Sequence, residues 1–196
     1  MKKVALSIIV ALIIPCCLFA ARGFLDFTMG VALSTEYTPQ DIIEDRLPIY
    51  NLEPKKLGLG AVAEVKLTFL SVDARAFYDP EALTVSGNVF ANFVLDFLCS
   101  RFKFGIGYAY GFDITEQTFS IGNSNSSTNS FENFKDAAFD INLGVDVLIG
   151  DLTIGAFATL PTEYVFGSKN VGPIFDVVKN NWTNAKLGAY IGVAFL

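Results

Sequence analysis

The chain contains no histidine. That removes histidine-based triads, histidine general bases and histidine metal ligands together. Tryptophan occurs once, against 19 phenylalanines. Cysteine is scarce. Cys16 and Cys17 lie in the N-terminal apolar segment, so a chain processed after it keeps only Cys99 and can form no internal disulfide. Long apolar runs are also missing. Although 52% of the residues are hydrophobic, no run of 18 follows the N-terminal segment, so helical membrane spans are not expected. Positive charge is in deficit, with 14 Lys and Arg against 20 Asp and Glu, a net charge of −6. Loss of Lys2 and Lys3 with the leader lowers it by two, to −8. Such a chain is not drawn to nucleic acid by charge. No catalytic, cofactor-binding or metal-binding motif stands out.

What is present is alternation. In Arg101 to Ile114 every second residue is large and apolar (Phe102, Phe104, Ile106, Tyr108, Tyr110, Phe112, Ile114). Between them stand Lys103, Gly105, Gly107, Ala109, Gly111 and Asp113. A period of two over this length is a strand with two unlike faces. Large residues toward lipid, with small and charged ones toward a narrow interior, fit a transmembrane β-barrel better than a soluble sheet.

Residues 1–21 read as a cleaved signal peptide: Lys2 and Lys3, an apolar stretch from Val4 to Ile14, Pro15, then the small Ala20 and Ala21. Residues 22–196 form one domain with eight alternating segments. They run about Phe24–Thr35, Lys56–Phe69, Ser71–Asp79, Thr84–Leu98, Arg101–Ile114, Ala137–Ile149, Leu152–Leu160 and Thr183–Leu196. The connections Leu70-Ser71, Cys99-Ser100 and Gly150-Asp151 are tight, the one over 79–83 is intermediate, and the other three are long and polar. The expected fold is all-β: an eight-stranded antiparallel up-and-down transmembrane β-barrel, with N- and C-termini on the periplasmic side.

The leader, the eight amphipathic strands, the turn asymmetry and an aromatic-rich last strand ending IGVAFL resemble the small outer-membrane barrels. The OmpA membrane domain, OmpX and OmpW are familiar examples. The likeness is architectural, spans the mature chain and carries no family-specific motif. Such barrels usually end in Phe or Trp; this chain ends Phe195-Leu196. The resemblance implies the outer membrane of a diderm, Gram-negative-type bacterium. It implies outer-membrane lipid around the wall, the barrel-assembly machinery during biogenesis, and surface-exposed loops. Outer-membrane acylases, deacylases and proteases share the architecture, but their catalytic sets use histidine, so none carries over.

The charges expected to point inward are Asp26, Glu64, Lys66, Asp73, Arg75, Asp96, Lys103, Asp113, Asp140, Asp146 and Lys186. They read either as a salt-bridged plug or as a narrow cation-preferring path. Asp140 and Asp146 could also serve as an acid–base pair, for which no partner or pocket is evident. Phe77, Phe90, Phe157 and Tyr190 interrupt the lining. Each either fills the space beside a glycine of the next strand or lines a lumen for an apolar ligand. The expected registers pair Asp96 with Lys103 and Phe90 with Ala109, and bring Glu64 near Arg75 and Lys66 near Asp73. Arg at outward Ile106 or Leu143 is expected to impair insertion by about 2–4 kcal/mol at the midplane, whereas Ser at inward Gly107 should matter far less.

In the loops, Thr38-Pro39-Gln40-Asp41 reads as a capped helix start. Ile42, Leu47, Phe166 and Phe175 are apolar loop residues, and Gly122 to Ser130 is low-complexity. Two roles follow. One is a non-enzymatic structural or surface-interaction (adhesin- or antigen-like) protein. The other is a narrow, OmpW-like or porin-like conduit or binding site for small apolar molecules. A soluble periplasmic ligand-binding barrel would need the greasy face inside.

Overall fold

The alternation yields nine strands, with one short α-helix and one 3-10 turn (Trp182–Asn184) among the described residues, in a computed structural model of the chain, which describes residues 24–43, 56–79, 82–121, 137–165 and 181–195. The strands are β1 (Leu25–Thr35), β2 (Leu57–Leu67), β3 (Leu70–Asp79), β4 (Thr84–Phe97), β5 (Ser100–Asp113), β6 (Thr118–Ile121), β7 (Ala138–Ile149), β8 (Leu152–Val165) and β9 (Lys186–Phe195). Helix α1 spans Pro39–Ile43. Eight strands pair antiparallel in a closed ring, with β4 on β5, β5 on β7 and β9 back on β1. Closure leaves the ring without a free edge. Four-residue β6 was not expected; it folds back on Tyr110–Asp113, where β5 has run past its pairing with β7. The leader and most of the apolar loop residues fall outside the described residues.

The wall has the polarity of an inside-out soluble protein. Outward Val31, Leu59 and Ile191 are 61%, 60% and 59% exposed, whereas inward Asp73, Arg101 and Asn142 are 0% exposed. In a water-soluble domain the large apolar side chains would be the buried set. One patch of the outer face departs from this. Phe139 and Ile141, expected to be exposed, are buried against Leu160 and Ala185, with Tyr108 and Tyr164 packed alongside. The Tyr164 ring stacks on Phe139 at 6.0 Å.

All three tight turns lie at one end of the barrel, where β1 also begins and β9 ends. Gly150-Asp151 bends as expected, with Leu152 opposite Ile149 and Gly150 at φ +59°. The other two bends are displaced. Leu67 pairs with Leu70, so the turn is Thr68-Phe69, and Phe97 pairs with Ser100, so the turn is Leu98-Cys99. Thr68 and Leu98 take positive φ (57° and 55°), the conformation Gly150 adopts in the third turn. In each turn the second residue's carbonyl accepts an N–H from the strand next along: Val94 to Phe69, Leu148 to Cys99, Ala194 to Asp151. That recurring bond fixes the bend where serine chemistry would not put it. Cys99 is disulfide-bonded. Its only candidate partners, Cys16 and Cys17, lie outside the described residues. The expectation of no internal disulfide concerns the chain processed after the leader, which keeps Cys99 alone.

The displaced turns shift two registers. Asp96 faces Arg101, not Lys103, and Phe90 faces Gly107, not Ala109. Glu64 faces Asp73 and Lys66 faces Ser71, which leaves Glu64–Arg75 and Lys66–Asp73 as diagonals. Strand β8 also continues five residues past its expected end at Leu160. Pro161 offers no N–H to the ladder, and the β7–β8 register shifts there between Ala138 and Asp140. The Thr162 hydroxyl, donating to the Phe139 carbonyl, holds the bulge. At the opposite end, Thr38 and Asp41 cap α1 reciprocally. The Thr38 amide and hydroxyl donate to Asp41 Oδ2 at 2.9 and 2.8 Å, and the Asp41 amide donates to Thr38 Oγ1 at 3.4 Å.

Candidate functional site

Inward positions of neighbouring strands converge on the axis, so the register decides which charges meet. Nearest the tight turns, Arg101 reaches Asp26 Oδ2 through Nη2 at 2.8 Å and Asp96 Oδ1 through Nε at 2.9 Å. Lys66 takes the other Asp96 oxygen at 2.5 Å. One layer deeper, the Lys103 ammonium lies 3.1 Å from Glu64, 3.0 Å from Asp146 and 3.1 Å from the Tyr190 hydroxyl. Above it, Arg75 donates to Asp73 at 2.9 Å and to Asn142 at 3.0 Å. Asn142 donates to Asn92 at 2.7 Å, and Asn92 donates to Asp73 at 3.0 Å. The Arg75 guanidinium also lies over the Phe157 ring at 3.9 Å.

Within this network Asp26, Glu64, Asp73, Asp96 and Asp146 face Lys66, Arg75, Arg101 and Lys103. Five acids against four bases is near neutrality, and the contacts are direct. A cation path would need carboxylates that no fixed cation occupies. The arrangement is a cross-braced plug, in which opposite walls of the barrel are tied through the axis.

Arg101 was absent from the expected interior set although it shares the parity of Lys103; its place at a strand start, beside an assumed turn, hid it. Asp113 and Lys186 were included but are not buried. Asp113 ends β5 and accepts the Thr115 and Glu116 amides at 2.8 and 2.9 Å, so it organises a turn. Lys186 stands exposed where β9 starts, at the barrel mouth. Asp140 and Asp146 do share the inner face of β7. Six residues of strand separate them by about 20 Å, too far for one reaction centre.

The four inward rings sit on glycines. Phe77 faces Gly60, Phe90 faces Gly107, Phe157 faces Gly144 and Gly188, and Tyr190 faces Gly155. A methyl group at Gly60 or Gly107 would meet the Cδ1 of its ring at 2.6 Å. The rings therefore fill volume left by the glycines. Phe90 and Tyr190, 0% and 3% exposed, line no lumen.

Phe77 and Phe157, with centroids 6.2 Å apart, close the plug from above and floor a cavity of about 720 Å³ at the long-loop end. Ser34, Ser86, Asn88, Asp140 and Thr159 contribute to its walls. Asp140 is buried; Asn88 Nδ2 donates to its Oδ2 at 3.1 Å. Among the described residues, no group of three or more Cys, Asp and Glu is placed to hold a metal ion.

No family model matches the chain, and no curated protein matches it. Among solved structures it is similar to Neisserial surface protein A, with 12% identity and a TM-score of 0.38 over 88% of this chain and 96% of that one. A likeness at that score carries no argument about role. The chain resembles the small eight-stranded outer-membrane barrels in architecture, through its closed ring of eight antiparallel strands.

Proposed function

We propose that the protein is an integral outer-membrane β-barrel without enzymatic activity, sealed to ions, that serves as a structural or surface-interaction protein. The tight turns and both ends of the domain lie on the periplasmic side, and the long loops lie outside the cell. One observation carries the reading: a belt of exposed Leu, Val, Ile and Phe surrounds a charged interior that is already paired. Lipid is the solvent that suits such a belt, and closed barrels satisfy all backbone groups within it. The soluble-barrel alternative needs the opposite arrangement of faces. The conduit alternative needs an open axis, where Arg75, Lys103 and Arg101 are braced across successive layers.

The test is planar-bilayer recording on refolded protein. The sealed reading expects no stable conductance in symmetrical salt. A persistent ohmic channel would overturn it in favour of a conduit.

A further inference from the structure

We propose that the cavity at the barrel mouth is a binding site for a small organic cation, a primary amine carried on a flat apolar body. The inference rests on the barrel reading, which places this end of the barrel at the cell exterior.

Two residues that line the cavity each carry a buried polar atom with no hydrogen-bond partner, Asp140 Oδ1 and Thr159 Oγ1. Both residues are 3% exposed. They are neighbours on one inner face, because Asn142 pairs with Thr159 and Asp140 with Pro161 across β7 and β8. An unpaired buried acceptor is costly, and more so when it is charged, so a donor that satisfies it recovers that cost. Asn88 already occupies the other carboxylate oxygen, and the Thr162 backbone also bonds the carboxyl group, so its orientation is fixed. An ammonium has three donors, enough for Asp140 Oδ1, Thr159 Oγ1 and one further acceptor.

The other charges at the cavity do not compete for this role. Asp79 accepts the Ala82 amide at 3.1 Å, and Lys56 lies over the Tyr37 ring at 4.8 Å. Glu36 is exposed at the rim. Lys186 pairs with Thr159 across β8 and β9 and acts on Asp140 through space, but it is exposed and forms no ion pair with it within 4 Å. A ligand ammonium can replace Lys186 as the counter-charge while Lys186 turns to water. Below the carboxylate, Phe77 and Phe157 give an apolar floor for the body of the ligand. The volume lies in the range of small-molecule sites. An anion would meet Asp140 unfavourably, and a wholly apolar molecule would leave both acceptors unpaired.

The probes are 2-phenylethylamine, its neutral counterpart 2-phenylethanol, and phenylacetate, titrated into refolded protein in micelles and followed by amide shifts in NMR. The amine is expected to shift the signals of Asn88, Asp140 and Thr159 and to bind at least about tenfold more tightly than the alcohol. Asp140→Asn is expected to abolish the preference for the amine, Thr159→Val to weaken it, and Lys186→Met to strengthen it. Equal binding of all three probes, shifts confined to other residues, or an unchanged preference in both Asp140→Asn and Thr159→Val would overturn the proposal. Failure of the barrel reading is seen separately, as wild-type protein whose gel mobility does not change on boiling.

Discussion

Arg101 and Asp96 sit in one ion-pair chain but differ in what their loss leaves behind. Arg101 is wholly buried and holds Asp26, which is 1% exposed; Asp96 has 38% of its side chain exposed. Arg101→Met removes the Arg101 counter-charge from the buried Asp26 carboxylate and is expected to cost about 3–5 kcal/mol. Asp96→Asn leaves Arg101 on Asp26 and is expected to cost about 1 kcal/mol or less, since solvent screens the pair. Urea unfolding in lipid vesicles, followed by Trp182 fluorescence, measures both. Near-equal losses would contradict the pairing. Gly107 belongs to the same scale. Serine there is expected, from its inward direction alone, to matter far less than arginine on the outer face. A Cβ at Gly107 would press on the Val89 carbonyl and on Phe90, whose Cα lies 2.7 Å from it. Backbone cannot yield as a flexible side chain can, so Gly107→Ala is expected to destabilise by about 1–3 kcal/mol in the same assay.

At the scale of elements, the strands were legible because small-and-charged against large-and-apolar alternation persists for 10 to 14 residues in most of them. The turns were less legible. Gly150 announces a positive φ and its bend was placed correctly. Thr68 and Leu98 adopt the same conformation with side chains that disfavour it, so serine two or three residues on drew the expected bends away. From that displacement came the missed Asp96–Arg101 contact and the misplaced Phe90. The extension of β8 was hidden by Pro161, which ends most strands but here sits at a bulge. The cavity was not legible at all, since Asn88, Asp140 and Thr159 come from three strands whose separation along the axis depends on those registers. The turn conformations are testable. Thr68→Gly relieves about 1–2 kcal/mol of left-handed strain against about 0.5–1 kcal/mol of glycine entropy, and is expected to be neutral or slightly stabilising. Gly150→Ala should lose about 1 kcal/mol, because a Cβ there meets nothing within 4 Å and only the backbone term remains. A stabilised Gly150→Ala would contradict the assignment.

For the whole molecule, the consequence of the face assignment is that the wall tolerates charge only on one side. Ile106 and Leu143, opposite Ile141 and Phe104 respectively across β5 and β7, stand well inside their strands. Arg at either is expected to cost about 2–4 kcal/mol of insertion at the midplane and to reduce the fraction with heat-modifiable gel mobility. Axis-crossing ion pairs tie β5 to β1 and β2, and a further pair joins it to neighbouring β7, so folding of the ring and sealing of its interior should be lost together. The central claim is that the exposed apolar face lies in lipid, and spin labels placed singly at Val31, Ile106, Leu143 and Ile191 in reconstituted vesicles test it most directly. Collision rates with oxygen above those with a water-soluble nickel chelate at all four positions, with the reverse order for a label at Glu116, are the predicted result. Ready access of the chelate to the four wall positions would contradict the account.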